Sequence, residues 1–229
     1  MHVIPVTGIG EVGPGDQIAD LIAAHAALRD GDVVVVTQKI VSKAEARLVP
    51  VDPDDPVSHK AVVEAESVRI LRRRGELIMS ETRHGFVCAN AGVDLSNVPT
   101  GQAALLPVDP DRSARRIRDG LRGRAGVEVG VIVSDTFGRA WRKGVTDVAI
   151  GCAGVAGVVD LRGSTDALGR TLLVTEVCVA DEIAAAAELV MGKSASVPVA
   201  IVRGVDAAWL REASVAKEII RPYQEDLFR

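Results

Sequence analysis

Three polar segments of an otherwise aliphatic chain carry residue types that bind metal ions and phosphate. In the segment 134–147, Asp135 and Thr136 follow the apolar run 127–133, which we expect to form a buried strand. A strand-end carboxylate beside a hydroxyl can hold Mg²⁺ or Mn²⁺, because these hard cations prefer oxygen ligands. The same segment then supplies three cations within five residues: Arg139, Arg142 and Lys143. A metal with guanidinium groups is the usual apparatus for neutralising phosphate. The alternative is a charged surface loop.

The segment 37–47 places further cations just beyond four consecutive valines at 33–36. Four valines in a row predict a strand that is buried on both faces, and open α/β sheets bind ligands at strand ends. The polar residues that follow are Gln38, Lys39, Ser42 and Lys43. A lysine at such a place is a compact cation suited to phosphate. A solvated strand end is the alternative.

The segment 81–97 is dense in polar, small and glycine residues. Asp94 and Asn97 lie three apart with Ser96 between them. A carboxylate with neighbouring amide and hydroxyl oxygens is typical of a site for a hard cation. For Asp94 alone an Asx-turn is the more economical interpretation. Three such segments in one chain favour a shared site over three unrelated loops.

Two short motifs resemble nucleotide-binding patterns without fulfilling them. The glycines at 8, 10 and 13 fit G-x-G-x-x-G, but Pro14-Gly15 follow, so we expect the next helix to begin near an N-cap at Asp16, outside the motif. That order disfavours a dinucleotide-binding unit. Gly192-Lys193-Ser194 lacks the earlier glycine of a Walker A motif. It is either a helix C-cap or a ligand-binding loop.

The remaining pattern predicts interleaved strands and helices of a mixed α and β class, without fixing the order of the sheet. Predicted strands are 2–6, 33–36, 77–79, 84–89, 127–133, 172–179 and 197–202. One predicted helix begins near Asp16, and four others span 57–74, 112–122, 180–191 and 207–220. The aliphatic, glycine-rich run 148–159 is either ordinary core or a surface that packs against a second copy.

Composition narrows the class of protein. The 229 residues include 27 Lys and Arg against 31 Asp and Glu, for a net charge of −4, and 48% are hydrophobic. This is typical of a soluble globular chain and disfavours a basic nucleic-acid-binding surface. The three cysteines Cys88, Cys152 and Cys178 form no CxxC pair, which favours a reducing cytoplasm over a disulfide framework. No signal peptide or membrane-spanning run is visible.

The chain resembles the coenzyme F420:L-glutamate ligase (gamma-glutamyl ligase) family along essentially its whole length. The resemblance is carried by four stretches: GDVVVVTQKIVSKAEAR, ETRHGFVCANAGVDLSN, VIVSDTFGRAWRKGVTDVAIG and TEVCVADEIAAAAELVMGK. One departure is visible, because the family commonly reads Ser-Lys-x-Glu-Gly-Arg and this chain has Ala46 at the glycine position.

The resemblance implies a GTP-dependent enzyme. Such enzymes join L-glutamate through a γ-linkage to the lactyl-phosphate side chain of the coenzyme F420 precursor and release GDP and phosphate. They need Mg²⁺ or Mn²⁺, with two metal sites expected, and K⁺ assists. The implied fold is a family-specific α+β ligase fold with mixed sheets and interleaved helices, in an intertwined homodimer. Residues 1–229 would form one gamma-glutamyl ligase domain, with room for a smaller subdomain, either free-standing or fused to a reductase domain.

The resemblance also assigns residues. Contacts to GTP are implied for Ile9, Gly10, Glu11, Val12, Gln38, Lys43 and Asn97, and for the loop Gly192, Lys193 and Ser194. One metal is implied at Asp94 and Asp135, and a second at Thr136. Asp94, Asp135, Arg139 and Arg142 are the expected catalytic residues, the arginines supplying fixed positive charge.

The expected mechanism activates a carboxylate. Transfer of the γ-phosphoryl group of GTP to the terminal carboxylate of the precursor would give an acyl phosphate, which the amine of L-glutamate then attacks. No nucleophilic side chain is needed, so we expect Cys88 to be a small buried residue. Two alternatives remain: a non-catalytic nucleotide-binding domain, and a GTP-dependent amide ligase for another acid.

Overall fold

The computed structural model describes residues 1–226 and has the predicted mixed α and β class. Its strands are β1 His2–Val6, β2 Val33–Thr37, β3 Leu48–Pro50, β4 Ser67–Arg74, β5 Leu77–Thr82, β6 Val87–Ala89, β7 Gln102–Ala104, β8 Gly130–Arg139, β9 Arg142–Ala153, β10 Val159–Asp160, β11 Glu176–Val177 and β12 Val199–Arg203. Its α-helices are α1 Ile18–His25, α2 Gln38–Ala44, α3 His59–Glu66, α4 Pro110–Ala125, α5 Val179–Met191 and α6 Val215–Glu218.

A five-stranded sheet in the order β1-β12-β2-β8-β9 forms the centre of the fold. Only β2 and β8 are parallel, and the other neighbours are antiparallel. The four valines of β2 are completely buried, which confirms the prediction of a strand covered on both faces. Helix α4 packs on β8 and β9, and α5 packs on β1, β9 and β12. Three smaller sheets pair β10 with β11, β3 with β7, and β4-β5-β6.

The predicted helix over 57–74 is wrong in its second half. Helix α3 ends at Glu66, and residues 67–74 form β4, which pairs with β5 in an antiparallel hairpin. Val68 and Ile70 are β-branched and favour a strand, and Gly75 adopts φ 55° in the tight turn to β5. The three arginines at 72–74 are exposed and lie on β4.

Three further predicted elements need correction. The helix expected over 207–220 is only a 3-10 turn at Ala207–Trp209 and the single turn of α6. The strand expected over 172–179 is restricted to Glu176–Val177. Asp16 does not cap α1, which Gln17 precedes; its carboxylate instead accepts a hydrogen bond from the Gly13 N–H at 2.8 Å.

The run 148–159 belongs mainly to the interior of this chain. Ala149, Ile150, Cys152 and Ala153 lie on β9 and are at most 3% exposed, as are Val155 and Ala156 beyond it. The interpretation of this run as a surface for a second copy is therefore wrong, and the alternative of ordinary core is confirmed.

The glycine motifs behave as the sequence predicted. Gly13 lies outside any helix, and α1 begins only at Ile18, which rules out the helix-embedded third glycine of a dinucleotide-binding unit. Gly192 is the C-cap of α5, with its N–H donating to the Glu188 carbonyl at 3.0 Å, and residues 192–194 also line the cavity described below, so the two interpretations do not exclude each other.

Candidate active site

A cavity of about 720 Å³ lies at the end of the central sheet where β2 finishes. Its lining comes from five separate parts of the chain. These are Ile9 to Val12; Thr37, Lys39, Ile40 and Lys43; Asn97 to Pro99; Thr136 and Asp147; and Glu188 with residues 191–194 and 196–198. Most of the sequence-predicted nucleotide contacts therefore meet around one space.

The parallel pairing of β2 and β8 brings the first and third polar segments together. Thr37 at the end of β2 lies opposite Ser134 of β8. The chain turns into α2 at Gln38, while β8 continues through Asp135 and Thr136. The expectation that the strand ends before Asp135 is therefore wrong. The segment 134–147 is largely a β8–β9 hairpin, in which pairing with β9 holds Asp135 and Thr136 in extended backbone.

Lys39 links the first segment to the second. Its Nζ donates to Asp94 Oδ2 at 2.6 Å, to the Ser96 carbonyl at 2.6 Å and to Ser96 Oγ at 2.8 Å. Burial disfavours the charged form of Asp94, but the hydrogen bonds from Lys39 and from the Ser96 N–H outweigh it and lower the pKa of the carboxyl. Asp94 is thus an ionised carboxylate, with a cation beside it.

Two further lysines reach the cavity. Lys43 is only 6% exposed and pairs with the exposed carboxylate of Glu11. Lys193, beyond the end of α5, donates from Nζ to the Thr136 hydroxyl. The Asn97 amide donates to the Lys193 carbonyl at 3.3 Å, which ties the second segment to the loop after α5. Three ammonium groups around one cavity suit a polyanionic ligand.

Asp135 is partly buried and short of positive charge. Burial raises its pKa to about 7, and the nearby charges of Asp94 and Asp147 act in the same direction. A hydrogen bond from the Thr136 N–H and the charge of Lys193 only partly oppose this. A bound cation would stabilise the ionised form.

Asp147 is a site residue to which the sequence analysis gave no role. It is 3% exposed, and its carboxylate accepts from Ser134 Oγ at 3.0 Å and from Thr136 Oγ1 at 2.5 Å. Because the single hydroxyl hydrogen of Thr136 is used by Asp147, the oxygen lone pairs remain for a cation. Lys193 Nζ takes that place in the structure. The only signal in the sequence was the position of Asp147 in the third polar segment.

Several predicted site residues do not line the cavity. Asp94 and Asp135 are absent from its lining, but Asp94 is bonded to the lining residue Lys39, and Asp135 interacts with the lining residues Thr136 and Asp147. Gln38 is buried, and its amide donates to Ser42 Oγ at 2.6 Å and to the Leu105 carbonyl at 3.0 Å.

Arg139 and Arg142 lie on either side of the exposed tip of the β8–β9 hairpin and are also absent from the cavity lining. Arg139 donates to the Lys143 carbonyl at 3.2 Å. Their catalytic role remains a prediction.

The donor chemistry fits a divalent cation, although the protein side chains do not form a complete cage. Asp94 already binds an ammonium group, and the pKa of Asp135 is raised by burial and then by its carboxylate neighbours. Across residues 1–226, no three His, Cys, Asp or Glu side chains are close enough to hold an ion by themselves. Other oxygen donors would have to complete the coordination.

Two other features of residues 1–226 concern their helices and their cysteines. None of their helices is long and apolar enough to cross a bilayer. The three cysteines are free thiols, and Cys88 is buried as predicted. Burial raises its pKa to about 12, so it is not a nucleophile at neutral pH.

Comparison with known proteins places the chain among the ligases that it resembles. The family model described as F420-0:Gamma-glutamyl ligase matches residues 8–204. The chain is 44% identical over 249 residues to the coenzyme F420:L-glutamate ligase of Methanothermobacter thermautotrophicus, covering 100% of this chain and 99% of that protein. Identity to the protein of the same name from Methanopyrus kandleri is 43% over 248 residues (100% and 98%). For Archaeoglobus fulgidus it is 39% over 243 residues (100% and 96%). The chain belongs to the F420-0:gamma-glutamyl ligase family.

Proposed function

We propose that this chain is a coenzyme F420:L-glutamate ligase that uses GTP to form a γ-glutamyl amide. The observation that carries the proposal is the meeting of Lys39, Lys43 and Lys193 with Thr136 and Asp147 around one cavity. The family assignment supplies the acceptor and the amino acid, which the cavity alone does not identify.

The cavity supports the predicted nucleotide contacts. Residues Ile9 to Val12, Lys43, Asn97 and the loop 192–194 all line it, and a cavity of this volume suits a nucleotide-sized ligand. The lysines would neutralise phosphate charge. GTP as the nucleotide rests on the resemblance.

Asp94, Asp135 and Thr136 are the residues that would hold Mg²⁺ or Mn²⁺, at two sites as predicted, with phosphate oxygens completing the coordination. When bound, the metal would polarise the phosphoryl group and spread the developing negative charge. The proposed assistance by K⁺ also rests on the resemblance.

The residues of this chain would bind and orient the reactants of two chemical steps. In the first, the bond between the γ-phosphorus and its bridging oxygen breaks and a carboxylate oxygen of the precursor bonds to phosphorus, giving an acyl phosphate and GDP. In the second, the amine of L-glutamate attacks the acyl carbon, loses a proton and expels phosphate. Lys43 and Lys193 would stabilise the phosphoryl charge in both steps.

We also propose a homodimer, on surfaces different from the run 148–159. The arm between β10 and β11 exposes Leu168, Leu173 and Val174, each by more than three quarters. The tip of the β8–β9 hairpin exposes Trp141 between the two arginines. Such apolar surface on two projecting segments is typical of a protein interface.

Product mass tests the proposed function. The protein is incubated with GTP, Mg²⁺, L-glutamate and either the F420 precursor or another phosphorylated acid. We expect the precursor alone to gain the mass of one glutamyl unit. A gain on a different acid would identify another amide ligase. Nucleotide binding without any product would identify a non-catalytic domain.

A further inference from the structure

One ionisable group of the cavity has no partner. Glu188, on the last turn of α5, lines the cavity and is partly buried. Its carboxylate forms no hydrogen bond or ion pair with any group in residues 1–226. The other ionisable side chains of the lining are paired: Glu11 with Lys43, Lys39 with Asp94, and Asp147 and Lys193 with Thr136.

The surroundings of Glu188 favour a ligand that brings positive charge. Burial, and then the charge of Asp147, raise its pKa, while Lys193 acts in the opposite direction. Asp147 cannot relieve this repulsion by moving, because it is buried and held by two hydroxyl groups. Lys193 is already engaged by Thr136. A partly buried carboxylate beside another carboxylate is stabilised by a ligand that brings both charge and hydrogen-bond donors.

The position of Glu188 selects among the ligands of the reaction. Asp147 and Lys193, its electrostatic neighbours, both contact Thr136 at the phosphoryl-binding end of the proposed site. The amine that attacks the acyl phosphate must reach this same end. At neutral pH the amine of a free amino acid arrives as an ammonium ion, with a positive charge and three donors.

We propose that Glu188 binds the ammonium group of the amino-acid substrate and orients its nitrogen toward the activated carboxyl group. This proposal rests on the ligase function proposed above and adds the amino-acid subsite to it. Glu188 would therefore contribute to the affinity for L-glutamate, without a role in the reaction of the nucleotide.

The test compares Glu188→Gln with Glu182→Gln. Both residues lie on α5, but Glu182 is exposed and lies outside the cavity lining. KM is measured separately for L-glutamate, GTP and Mn²⁺. We expect Glu188→Gln to raise the KM for L-glutamate by about 10- to 100-fold, the range for a lost charge-assisted hydrogen bond. The KM values for GTP and Mn²⁺ should stay within about twofold of wild type, and Glu182→Gln should change none of them.

A second nucleophile separates the amine subsite from the activation step. Hydroxylamine is uncharged at neutral pH and traps acyl phosphates as hydroxamates. Glu188→Gln should form hydroxamate from GTP and the precursor at the wild-type rate while its reaction with L-glutamate falls. Wild-type protein that forms neither hydroxamate nor glutamyl product would contradict the ligase function itself.

Other results would overturn the assignment of Glu188. A raised KM for GTP, or a lost preference for GTP over ATP, would place the purine at this carboxylate. A raised Mn²⁺ requirement would make it a metal ligand. An unchanged KM for L-glutamate in a variant with the wild-type urea midpoint would exclude the ammonium contact.

Discussion

At the scale of single residues, the departure of Ala46 from the family pattern has a consequence for backbone strain. The family pattern has glycine where this chain has Ala46, and Ala46 adopts φ 55° in the turn after α2. The turn is closed by Ala46 N–H to Lys43 O at 3.1 Å and Arg47 N–H to Ser42 O at 2.7 Å. An alanine in the left-handed region is strained by roughly 1 kcal/mol relative to glycine.

We therefore expect Ala46→Gly to stabilise the protein by up to about 1 kcal/mol. The matched control is Ala24→Gly on the exposed face of α1, where glycine should destabilise by about 1 kcal/mol. Urea denaturation measures both changes. Equal destabilisation by the two substitutions would contradict the strained turn.

Asp135 gives a second prediction at this scale, with a pH dependence of known sign. Its pKa is raised to about 7 in the folded protein, above the usual value of about 4 in an unfolded chain. The metal-free protein is therefore expected to lose stability as pH rises from about 4 through 7. Asp135→Asn removes this loss, so in EDTA the urea midpoint of the variant relative to wild type should be higher at pH 8 than at pH 4.

The same variant distinguishes a metal-binding carboxylate from a structural one. If Asp135 holds metal, turnover should fall by more than the roughly 10- to 100-fold typical of an outer-shell partner. A free energy of unfolding lowered by about 1–3 kcal/mol, with an unchanged Mn²⁺ dependence of activity, would instead make Asp135 a structural acceptor.

At the scale of secondary structure, the sequence predicted best where one pattern had one interpretation. The valines of β2 and the helices predicted over 112–122 and 180–191 were found close to their predicted positions, as β2, α4 and α5. Residues 67–74 were harder, because an arginine-rich exposed strand has no buried face to give an alternating pattern. Its identity depends on pairing with β5, a tertiary contact.

The segments that form the candidate site could be predicted from the sequence, but the contacts between their side chains could not. The three polar segments indicated a phosphate and metal site. The register of β2 with β8 brings the first and third segments together, and Lys39 links the first to the second. The pairing of Asp147 with Thr136 and the unpartnered Glu188 could not be predicted, because both depend on side-chain neighbours from separate elements.

Glu218 holds the short α6 in place and gives a prediction for an element. Its carboxylate accepts from the Gly157 and Val158 N–H groups, each at 3.1 Å, and pairs with Arg211 at 2.6 Å. Burial opposes its ionisation, but these contacts outweigh burial and lower the pKa of Glu218. A carboxylate whose pKa is lowered by folding stabilises the folded protein above the unfolded-state pKa, near 4.5. That stabilisation is lost as pH falls through the folded-state pKa.

Glu218→Gln should therefore lower the free energy of unfolding at pH 7 by about 1–3 kcal/mol. The difference from wild type should shrink below pH 4.5. Glu225→Gln, at an exposed position near the described C-terminal end, serves as the control and should change little. A pH-independent difference would mean that the charge of Glu218 contributes nothing.

At the scale of the whole molecule, the proposed dimer depends on surface that the single chain leaves exposed. Light scattering at working concentration should give the mass of two chains. Leu173→Lys on the β10–β11 arm should shift the protein toward the monomer, because it places a charge in an apolar interface. Leu189→Lys, an equally exposed leucine on α5, is the comparison. A monomeric wild type would contradict the dimer.

We propose above that GTP drives the attachment of L-glutamate to the F420 precursor at this cavity. Its most direct test is the ratio of GDP formed to glutamyl product formed, measured in one reaction by liquid chromatography and mass spectrometry, with ATP in a parallel reaction. We expect one GDP and one phosphate for each glutamyl unit added, and little product with ATP. Product formed without nucleotide consumption, or equally well with ATP, would contradict it.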